Sequence, residues 1–192
     1  RDFCLSRGLG DVYKRQIVGY VPQKAVMFSG SVLSNITFGK NRHGKPSKER
    51  VKAAIRVSQA EEFVSKLDDK EKAHIAQGGT NVSGGQKQRL SIARTIARDP
   101  EIYIFDDSFS ALDYKTDAVL RSELKKYTKD ATSLIVAQRI GTIMNADKII
   151  VLDNGESVGV GTHEELLKSC EVYKQIALSQ LSKEELDNAK TK

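Results

Sequence analysis

The hydrophobic residues of this chain fall into short runs that are separated by turns rich in glycine, proline and charged residues. Two of these runs, Ile102 to Phe105 and Leu134 to Ala137, contain no alternating polar residues. Such runs are typical of strands that are buried on both faces of a parallel sheet. A further β-rich run begins at Ile17 and is stopped by Pro22, which has no N–H to donate to a neighbouring strand. The pattern predicts a mostly parallel sheet.

Helical spacing is found between these predicted strands. The first helix should follow the N-cap Ser47, with recurring positions at Val51, Ala54, Ile55, Ser58 and Phe63. A second helix is expected from Gly85 to Arg98, between the N-cap Ser83 and the helix breaker Pro100. A third is expected around Thr116 to Tyr127. Helices that alternate with strands predict an α/β fold, here with a helical subdomain at about residues 47–98.

A hairpin is predicted in the last third of the chain. Lys148 to Asp153 and Glu156 to Gly161 are β-rich, and Asn154-Gly155 between them favours a two-residue type I′ turn. The last residues, Ser182 to Lys192, are charged, and we expect this tail to fray.

Two helices are predicted after the hairpin. Thr162 and Glu165 have the spacing of a capping box for a helix that begins at His163. Helical spacing then continues from Tyr173 to Leu181. We interpret His163 as a structural part of this capped helix start rather than as a catalytic group.

Composition narrows the classes of protein that fit. The 192 residues are 39% hydrophobic, which is enough for one domain with a core. No apolar run reaches the roughly 18 residues of a membrane span, so we expect this piece to be soluble. The net charge is +6, but basic and acidic residues are interspersed and aromatic residues are few, so we expect no nucleic-acid partner. Cys4 and Cys170 form no disulfide framework and fit a reducing compartment.

One stretch of the chain combines two devices that suit a nucleotide. Ser83, Gly84, Gly85 and Gln86 open the second predicted helix, where glycine allows close approach to backbone N–H groups and the helix end is partly positive. A phosphate is the ligand that such a surface suits best. Asp106 and Asp107 then end the apolar strand and offer carboxylates to a hydrated Mg²⁺.

These residues resemble motifs of the ATP-binding cassette (ABC) family. SGGQ followed by QR, an apolar strand that ends in Asp, and SALD are similar in order and spacing to its signature motif, Walker B strand and D-loop. The resemblance extends from Ile17 to about Gln180. It implies part of a P-loop NTPase domain that binds ATP and Mg²⁺, with Asp106 at the metal and with Ser83 to Gln86 and Asp113 near nucleotide. Gln23 resembles the Q-loop glutamine, which contacts Mg²⁺ and the attacking water.

The resemblance also implies two partners. ABC domains pair head to tail, so that each ATP lies between the Walker motifs of one domain and the signature motif of the other. The apolar stretch from Val26 to Gly39 is similar to an exporter segment beside the groove where a coupling helix of the transmembrane domain docks. Gln77 to Thr80 lies where exporters contact that domain. The apolar residues here could equally form core or line that groove. Such a domain works at the cytoplasmic face of the cell membrane.

Two positions depart from the family pattern. Hydrolysing ABC sites have Glu directly after the Walker B Asp and a His after the next strand, whereas this chain has Asp107 and Gln138 there. The carboxylate of Asp is one methylene short of the attacking water, and a misplacement of about 1 Å can cost on the order of a hundredfold in rate. A glutamine side chain can donate a hydrogen bond, but it neither takes up nor releases a proton near neutral pH. These changes spare nucleotide binding and weaken water activation.

The favoured hypothesis is therefore the degenerate half of a heterodimeric exporter, which lends a working signature motif to its partner. A non-hydrolysing regulatory ABC subunit, in which ATP only clamps the dimer, remains open. A soluble ABC ATPase of DNA repair or translation fits less well, because neither a coiled-coil insertion nor a second cassette is present.

The first sixteen residues do not fit the pattern of the rest. They have no helical or strand periodicity, and SRGLGDVYKRQ resembles a translated sequencing-library adapter. We expect Arg1 to Gln16 to be an artefact and residues 17–181 to be the C-terminal part of the domain. No stretch matches the G-x-x-x-x-G-K-[ST] phosphate loop, so we expect the Walker A portion to be missing and the piece alone to be inactive.

Overall fold

The computed structural model describes residues 16–39 and 44–180. The described residues divide into two compact units, one up to Val136 and one from Ala137 onward, which we call unit 1 and unit 2. Each unit has a hydrophobic core of its own. The predicted artefact lies outside the described residues except for Gln16, and the predicted tail from Ser182 lies outside them altogether. The domain bounds predicted at residues 17 and 181 stay a prediction.

Unit 1 alternates helices and strands. Two 3₁₀ turns, Lys70–Lys72 and Gln77–Gly79, accompany them. In chain order the other elements are β1 Val18–Val21, β2 Gly30–Ser31, α1 Val32–Ile36, α2 Lys48–Val57, α3 Glu61–Ser65, β3 His74–Ile75, α4 Gly84–Arg98, β4 Ile102–Asp106, α5 Tyr114–Tyr127 and β5 Thr132–Val136.

A parallel sheet forms the centre of unit 1. Its order is β1-β4-β5, with Val18 paired to Ile102 and Ile102 paired to Thr132 in register. The crossover from β1 to β4 contains the helices up to α4, and α5 connects β4 to β5. The predicted α/β fold with a mostly parallel sheet and flanking helices is confirmed.

Burial of this sheet differs from the prediction. On β4, Tyr103 and Phe105 are buried, whereas Ile102 and Ile104 are only partly buried. On the edge strand β5, Leu134 is 51% exposed. The prediction that both strands are buried on both faces was therefore wrong for the described residues. Apolar residues of α4 and α5 join the same core as Tyr103 and Phe105. These helices therefore cover the face of the sheet to which Tyr103 and Phe105 point, and residues on the other face stay partly exposed.

Helix α4 is the longest helix among the described residues. Its N-cap Ser83 closes a capping box with Gln86, so the helix begins at Gly84, one residue before the predicted start. At the other end Asp99 adopts the left-handed conformation with φ 53°, ahead of Pro100. The predicted apolar side is buried, with Leu90, Ile92, Ala93, Ile96 and Ala97 in the core.

The first predicted helix is shorter than its spacing suggested. Ser47 caps α2 by accepting a hydrogen bond from the backbone N–H of Arg50, as predicted. However, Gln59 has φ 57°, which no helix interior tolerates, and α2 ends before it. Phe63 was predicted in the same helix and lies instead in the separate helix α3.

Unit 2 is built around an antiparallel hairpin. Its elements are α6 Ile140–Ile143, β6 Ile149–Asp153, β7 Glu156–Gly161, α7 His163–Ser169 and α8 Glu171–Gln180. Asn154 and Gly155 between the two strands have φ 48° and φ 84°, the positive values that the predicted turn requires. No helix of the described ranges is both long and apolar enough to cross a bilayer.

The capping box predicted for α7 is present. Thr162 Oγ1 accepts a hydrogen bond from the N–H of Glu165, and the carboxylate of Glu165 accepts one from the N–H of Thr162. The helical run then breaks where Cys170 is extended, and α8 begins at Glu171. These local sequence signals predicted the helix start correctly because both partners lie within one turn.

His163 is buried in the core of unit 2. It is 5% exposed, and its Nδ1 lies 2.7 Å from the hydroxyl of Tyr173 on α8. The two rings also meet edge to face with their centroids 5.7 Å apart. This packing supports the structural interpretation of His163.

We expect the stability of unit 2 to fall as the pH falls through the range in which free histidine titrates, about 6.5. Burial lowers the pKa of His163, so the unfolded chain takes up this proton at a higher pH than the folded chain does. Stability is therefore lost below about pH 6.5, and His163→Phe should remove that part of the slope. Urea unfolding measured between about pH 7.5 and 5.5 tests this, with His74→Gln, an exposed histidine, as the control that keeps the slope. An unchanged slope in His163→Phe would contradict the prediction.

Candidate functional site

The start of α4 presents backbone donors at the surface of unit 1. Ser83 Oγ accepts from the N–H of Gln86 at 3.2 Å, and Gln86 Oε1 accepts from the N–H of Ser83 at 2.9 Å. Among the described residues no hydrogen bond uses the N–H groups of Gly84 and Gly85. Ser83 and Gly84 are exposed. Two unused donors therefore stand at the positive end of a 15-residue helix, the arrangement that binds anions.

The two glycines at this helix start differ in their surroundings. A Cβ added to Gly84 would meet no heavy atom within 4 Å, so packing does not explain the glycine there. A Cβ on Gly85 would lie 3.3 Å from the carbonyl oxygen of Ala111, in the loop after β4. Gly85 therefore allows close packing, whereas Gly84 leaves open space in front of the donors.

The acidic pair lies at the carboxyl end of β4, where parallel sheets bind their ligands. Asp106 is the last residue of the strand, and its Oδ2 accepts a hydrogen bond of 2.8 Å from the hydroxyl of Tyr20 on β1. This hydrogen bond raises the pKa of Tyr20. Tyr20 was missed at the sequence level, because only the pairing of β1 with β4 brings it beside Asp106.

Asp107 is held by backbone and side chain together. It has φ 43°, and its N–H donates to the carbonyl of Val136 at 2.9 Å. Its Oδ2 accepts a hydrogen bond of 3.0 Å from Nε2 of Gln23, just after β1. The structure thus brings Gln23 to Asp106 and Asp107 at the carboxyl end of the sheet, although Gln23 and Asp107 are 84 positions apart in sequence.

These residues fit a Mg²⁺ ion for which the protein supplies only some of the ligands. No group of three or more His, Cys, Asp or Glu side chains forms a metal cluster within the described ranges. Mg²⁺ commonly uses one or two carboxylates and completes its shell with water and substrate phosphates. Asp106 offers such a carboxylate. The side-chain N–H of Gln23 donates to Asp107, so its amide oxygen is available as a second oxygen ligand for the ion.

Asp113 has a structural role in addition to the one implied by the family motif. It is the N-cap of α5, and its Oδ1 accepts from the N–H of Thr116 at 2.9 Å. That backbone hydrogen bond lowers the pKa of Asp113. The carboxylate is therefore charged and fixed at the end of the loop that also contacts Gly85.

Gln138 belongs to unit 2 and precedes α6. Its side chain is exposed, and its backbone carbonyl accepts from Nε2 of Gln180 at 2.9 Å. Oε1 of Gln180 in turn accepts from the N–H of Ile140. Gln180 thus fixes the backbone around Gln138 from within the same unit.

The exporter-like stretch contains both buried and exposed apolar residues. Met27, Val32 and Ile36 are fully buried. The remaining apolar residues form an exposed surface that we call the aromatic patch, made of Val26, Phe28, Leu33 and Phe38. The rings of Phe28 and Phe38 stack with centroids 4.2 Å apart. The two sequence interpretations, core and surface lining, therefore apply to different residues of the same stretch.

Arg94 supports the aromatic patch from α4. Its guanidinium donates to the carbonyls of Asn35 at 2.8 Å and Val26 at 3.1 Å, and lies 5.4 Å and 5.9 Å from the ring centres of Phe28 and Phe38. Burial lowers the pKa of Arg94 to about 10, so the group remains charged near neutral pH. Sequence analysis gave no sign of this role, because the hydrogen-bond partners of Arg94 lie 59 to 68 positions away in sequence.

Comparison with known proteins adds a family to this geometry. A sequence model described as ABC transporter matches residues 10–110. An uncharacterised ABC transporter ATP-binding protein of Mycobacterium bovis is 46% identical over 163 residues, which is 85% of this chain and 28% of that protein. A Rickettsia conorii protein whose name describes an export ATP-binding/permease protein is 40% identical over 168 residues, 88% of this chain and 29% of that protein.

A solved structure agrees with these relatives. The structure of a bacterial Atm1-family ABC exporter with ATP bound is similar to this chain with a TM-score of 0.81 and 32% sequence identity. The match covers 88% of this chain and 29% of that exporter chain. The chain thus spans less than a third of the length of the relatives that it matches. Sequence and fold together show that this chain belongs to the ABC transporter family and has the α/β fold of its ATP-binding domain.

Proposed function

We propose that this chain is the ATP-binding part of an ABC exporter and that the start of α4 acts on ATP bound to a second cassette. The observation that carries this proposal is the pair of unused N–H groups at Gly84 and Gly85, on an exposed helix end. A nucleotide γ-phosphate supplies the negative charge that these donors and the helix dipole favour. We assign the chain's own Asp106, which ends β4, to a different nucleotide.

The relatives and the aromatic patch support an exporter. One relative is named for export and permease, and the similar solved structure is an exporter with ATP bound. The aromatic patch exposes four apolar residues, two of which pack on the partly buried, charged Arg94, and a surface of this kind suits a docked protein segment. The proposed partner there is a coupling helix of a transmembrane domain at the cytoplasmic face of the membrane.

At its own nucleotide face, this chain would bind ATP with Mg²⁺ and turn it over slowly. Asp106 and the amide oxygen of Gln23 are the residues that would hold the ion. When bound, Mg²⁺ neutralises the charge that develops on the phosphate oxygens. Asp107 stands where the family has its catalytic Glu, one methylene short, and its carboxylate is already occupied by the amide of Gln23. Gln138 can donate a hydrogen bond to phosphate but cannot accept a proton near neutral pH.

These departures favour a degenerate half of a heterodimer, in which the partner's site performs most of the hydrolysis. A second candidate is a non-hydrolysing regulatory subunit, in which ATP at both faces only clamps the pair. Asp107 and Gln138 also fit this role, because both replacements reduce water activation. Phosphate release by the assembled pair separates the two candidates.

We expect Gly84→Ala in the full-length protein to impair the partner's ATP hydrolysis on the order of a hundredfold. Alanine keeps the N–H group, but its methyl group fills the open space in front of the donors and holds the γ-phosphate away from them. The added methyl meets open space in this chain, and alanine favours helices over glycine. Stability should therefore be unchanged or raised by up to about 1 kcal/mol. Steady-state phosphate release and thermal unfolding measure the two effects.

Gly141→Ala is the matched control for that variant. Gly141 is also a helical glycine with no heavy atom within 4 Å of its added Cβ, and it lies in unit 2 away from α4 in sequence. It should leave phosphate release unchanged. If Gly84→Ala hydrolyses ATP at the rate of Gly141→Ala, the start of α4 does not act on nucleotide.

We expect Asp107→Glu combined with Gln138→His to raise turnover at this chain's own face on the order of a hundredfold. The longer carboxylate reaches the water, and the imidazole supplies a proton donor and acceptor near neutral pH. The measurement is phosphate release in an assembly whose partner site has been disabled. Asp107→Asn with Gln138→His is the control that should gain nothing, and unchanged turnover in the Glu–His pair would refute the degenerate-site proposal.

A further inference from the structure

The end of β1 is held by three side chains on consecutive carbonyl groups. Thr95 Oγ1 donates to the carbonyl of Tyr20 at 3.4 Å, Ser108 Oγ to that of Val21 at 2.8 Å, and Gln88 Nε2 to that of Pro22 at 3.0 Å. Two of these donors come from α4 and one comes from the loop after β4. The strand end that leads into Gln23 is therefore fixed from the helix and from the acidic loop together.

Gln88 is the donor nearest to the start of α4. It lies two residues after the capping-box residue Gln86 and is 2% exposed, so water cannot replace its hydrogen bond. Its acceptor is the carbonyl of Pro22, which directly precedes Gln23. Nothing in the sequence pairs these residues, because they are 66 positions apart.

The hydrogen bond from Gln88 to Pro22 connects the start of α4 with the residues around Asp107. On one side, the rigid first turns of α4 connect Gln88 to the donors at Gly84 and Gly85. On the other side, Pro22 is followed by Gln23, whose amide holds the carboxylate of Asp107 at 3.0 Å. The hydrogen bond of Gln88 thus lies on a continuous path from the start of α4, through Pro22, to the contact between Gln23 and Asp107.

We propose that Gln88 is a positioning residue that couples the nucleotide bound at the start of α4 to the nucleotide face at Asp106 and Asp107. The proposal rests on the function proposed above, which assigns the helix start to the partner's ATP and the acidic pair to this chain's own ATP. Gln88 touches neither nucleotide. It transmits a displacement of α4 to Gln23, which is the physical link that an energetic coupling between two sites requires.

A purely structural role for Gln88 makes a different prediction. A buried amide that only satisfies the Pro22 carbonyl would, when removed, lower stability and weaken both nucleotide faces alike. A coupling role instead changes the ratio of two affinities. That ratio is the affinity of the chain's own face for Mg-ATP with the partner's face occupied, divided by its affinity with that face empty.

The test is Gln88→Leu in the full-length protein, assembled with its partner cassette and disabled for hydrolysis. Leucine keeps much of the volume and removes the hydrogen bond. Binding of Mg-ATP to this chain's face gives the ratio, and amide hydrogen exchange of residues 23–26 without nucleotide reports directly on the loop. We expect the ratio to fall about fivefold and exchange to rise about fivefold, the factor for one hydrogen bond.

Thr95→Val is the matched control. Thr95 lies on the same helix and contacts the same strand, but its bond to Tyr20 is long, and its hydroxyl also donates to the carbonyl of Ser91 at 3.2 Å. It should change the ratio and the exchange of residues 23–26 much less than Gln88→Leu does. An equal loss of ratio in Thr95→Val and Gln88→Leu would indicate general loosening of α4 and overturn the proposal.

The remaining outcomes separate this inference from the proposed function. If Gly84→Ala impairs hydrolysis while Gln88→Leu keeps the wild-type ratio, the function stands and the coupling role of Gln88 is wrong. If the wild-type ratio is one, no coupling exists and the inference fails. If Gly84→Ala has no effect, the proposed function fails first, and this inference fails with it.

Discussion

Helix α4 lies so close to β1 that only glycine fits between them, and the architecture of unit 1 depends on this contact. A Cβ on Gly19 would lie 2.6 Å from side-chain atoms of both Thr95 and Pro100. Non-bonded atoms essentially never come this close, so a larger residue at position 19 would force Thr95, Pro100 or the backbone around them to shift. The contact fixes the position of α4 against β1. It thereby sets which carbonyls Gln88 and Thr95 can reach.

The partners of the two carboxylates at the carboxyl end of β4 follow from the pairing of this strand with β1. Pairing of β1 with β4 brings Tyr20 to Asp106, and the turn after β1 brings Gln23 to Asp107. Two neighbouring carboxylates thus differ in their partners: one accepts from a phenol and the other from an amide. Asp106 stays accessible to a cation, whereas Asp107 is restrained by a short side chain, a left-handed backbone and a bound amide together. This difference supports separate roles in ion binding and in water activation.

The aromatic patch shows how a partly buried charge can stabilise a surface segment. Arg94 is anchored on α4 and satisfied by carbonyls of the segment that displays Phe28 and Phe38. Because removing a guanidinium from water is costly unless its N–H groups are bonded, these contacts stabilise the segment in this conformation. The same helix therefore carries the proposed anion-binding start, the hydrogen bond from Gln88 to Pro22 and the support of the proposed docking surface.

The sequence by itself determined the features whose partners lie within a few residues: the N-cap Ser83, the capping box of Thr162 and Glu165, and the turn at Asn154-Gly155. It also placed the acidic pair at a strand end, and motif order predicted the family. Only the tertiary structure decided that Tyr20 meets Asp106 and that Gln88 meets Pro22, since partners 86 and 66 residues apart depend on strand register and helix packing. The same holds for burial of the sheet. A run of apolar residues indicates a strand, but the elements that pack against it decide whether one face or both are covered.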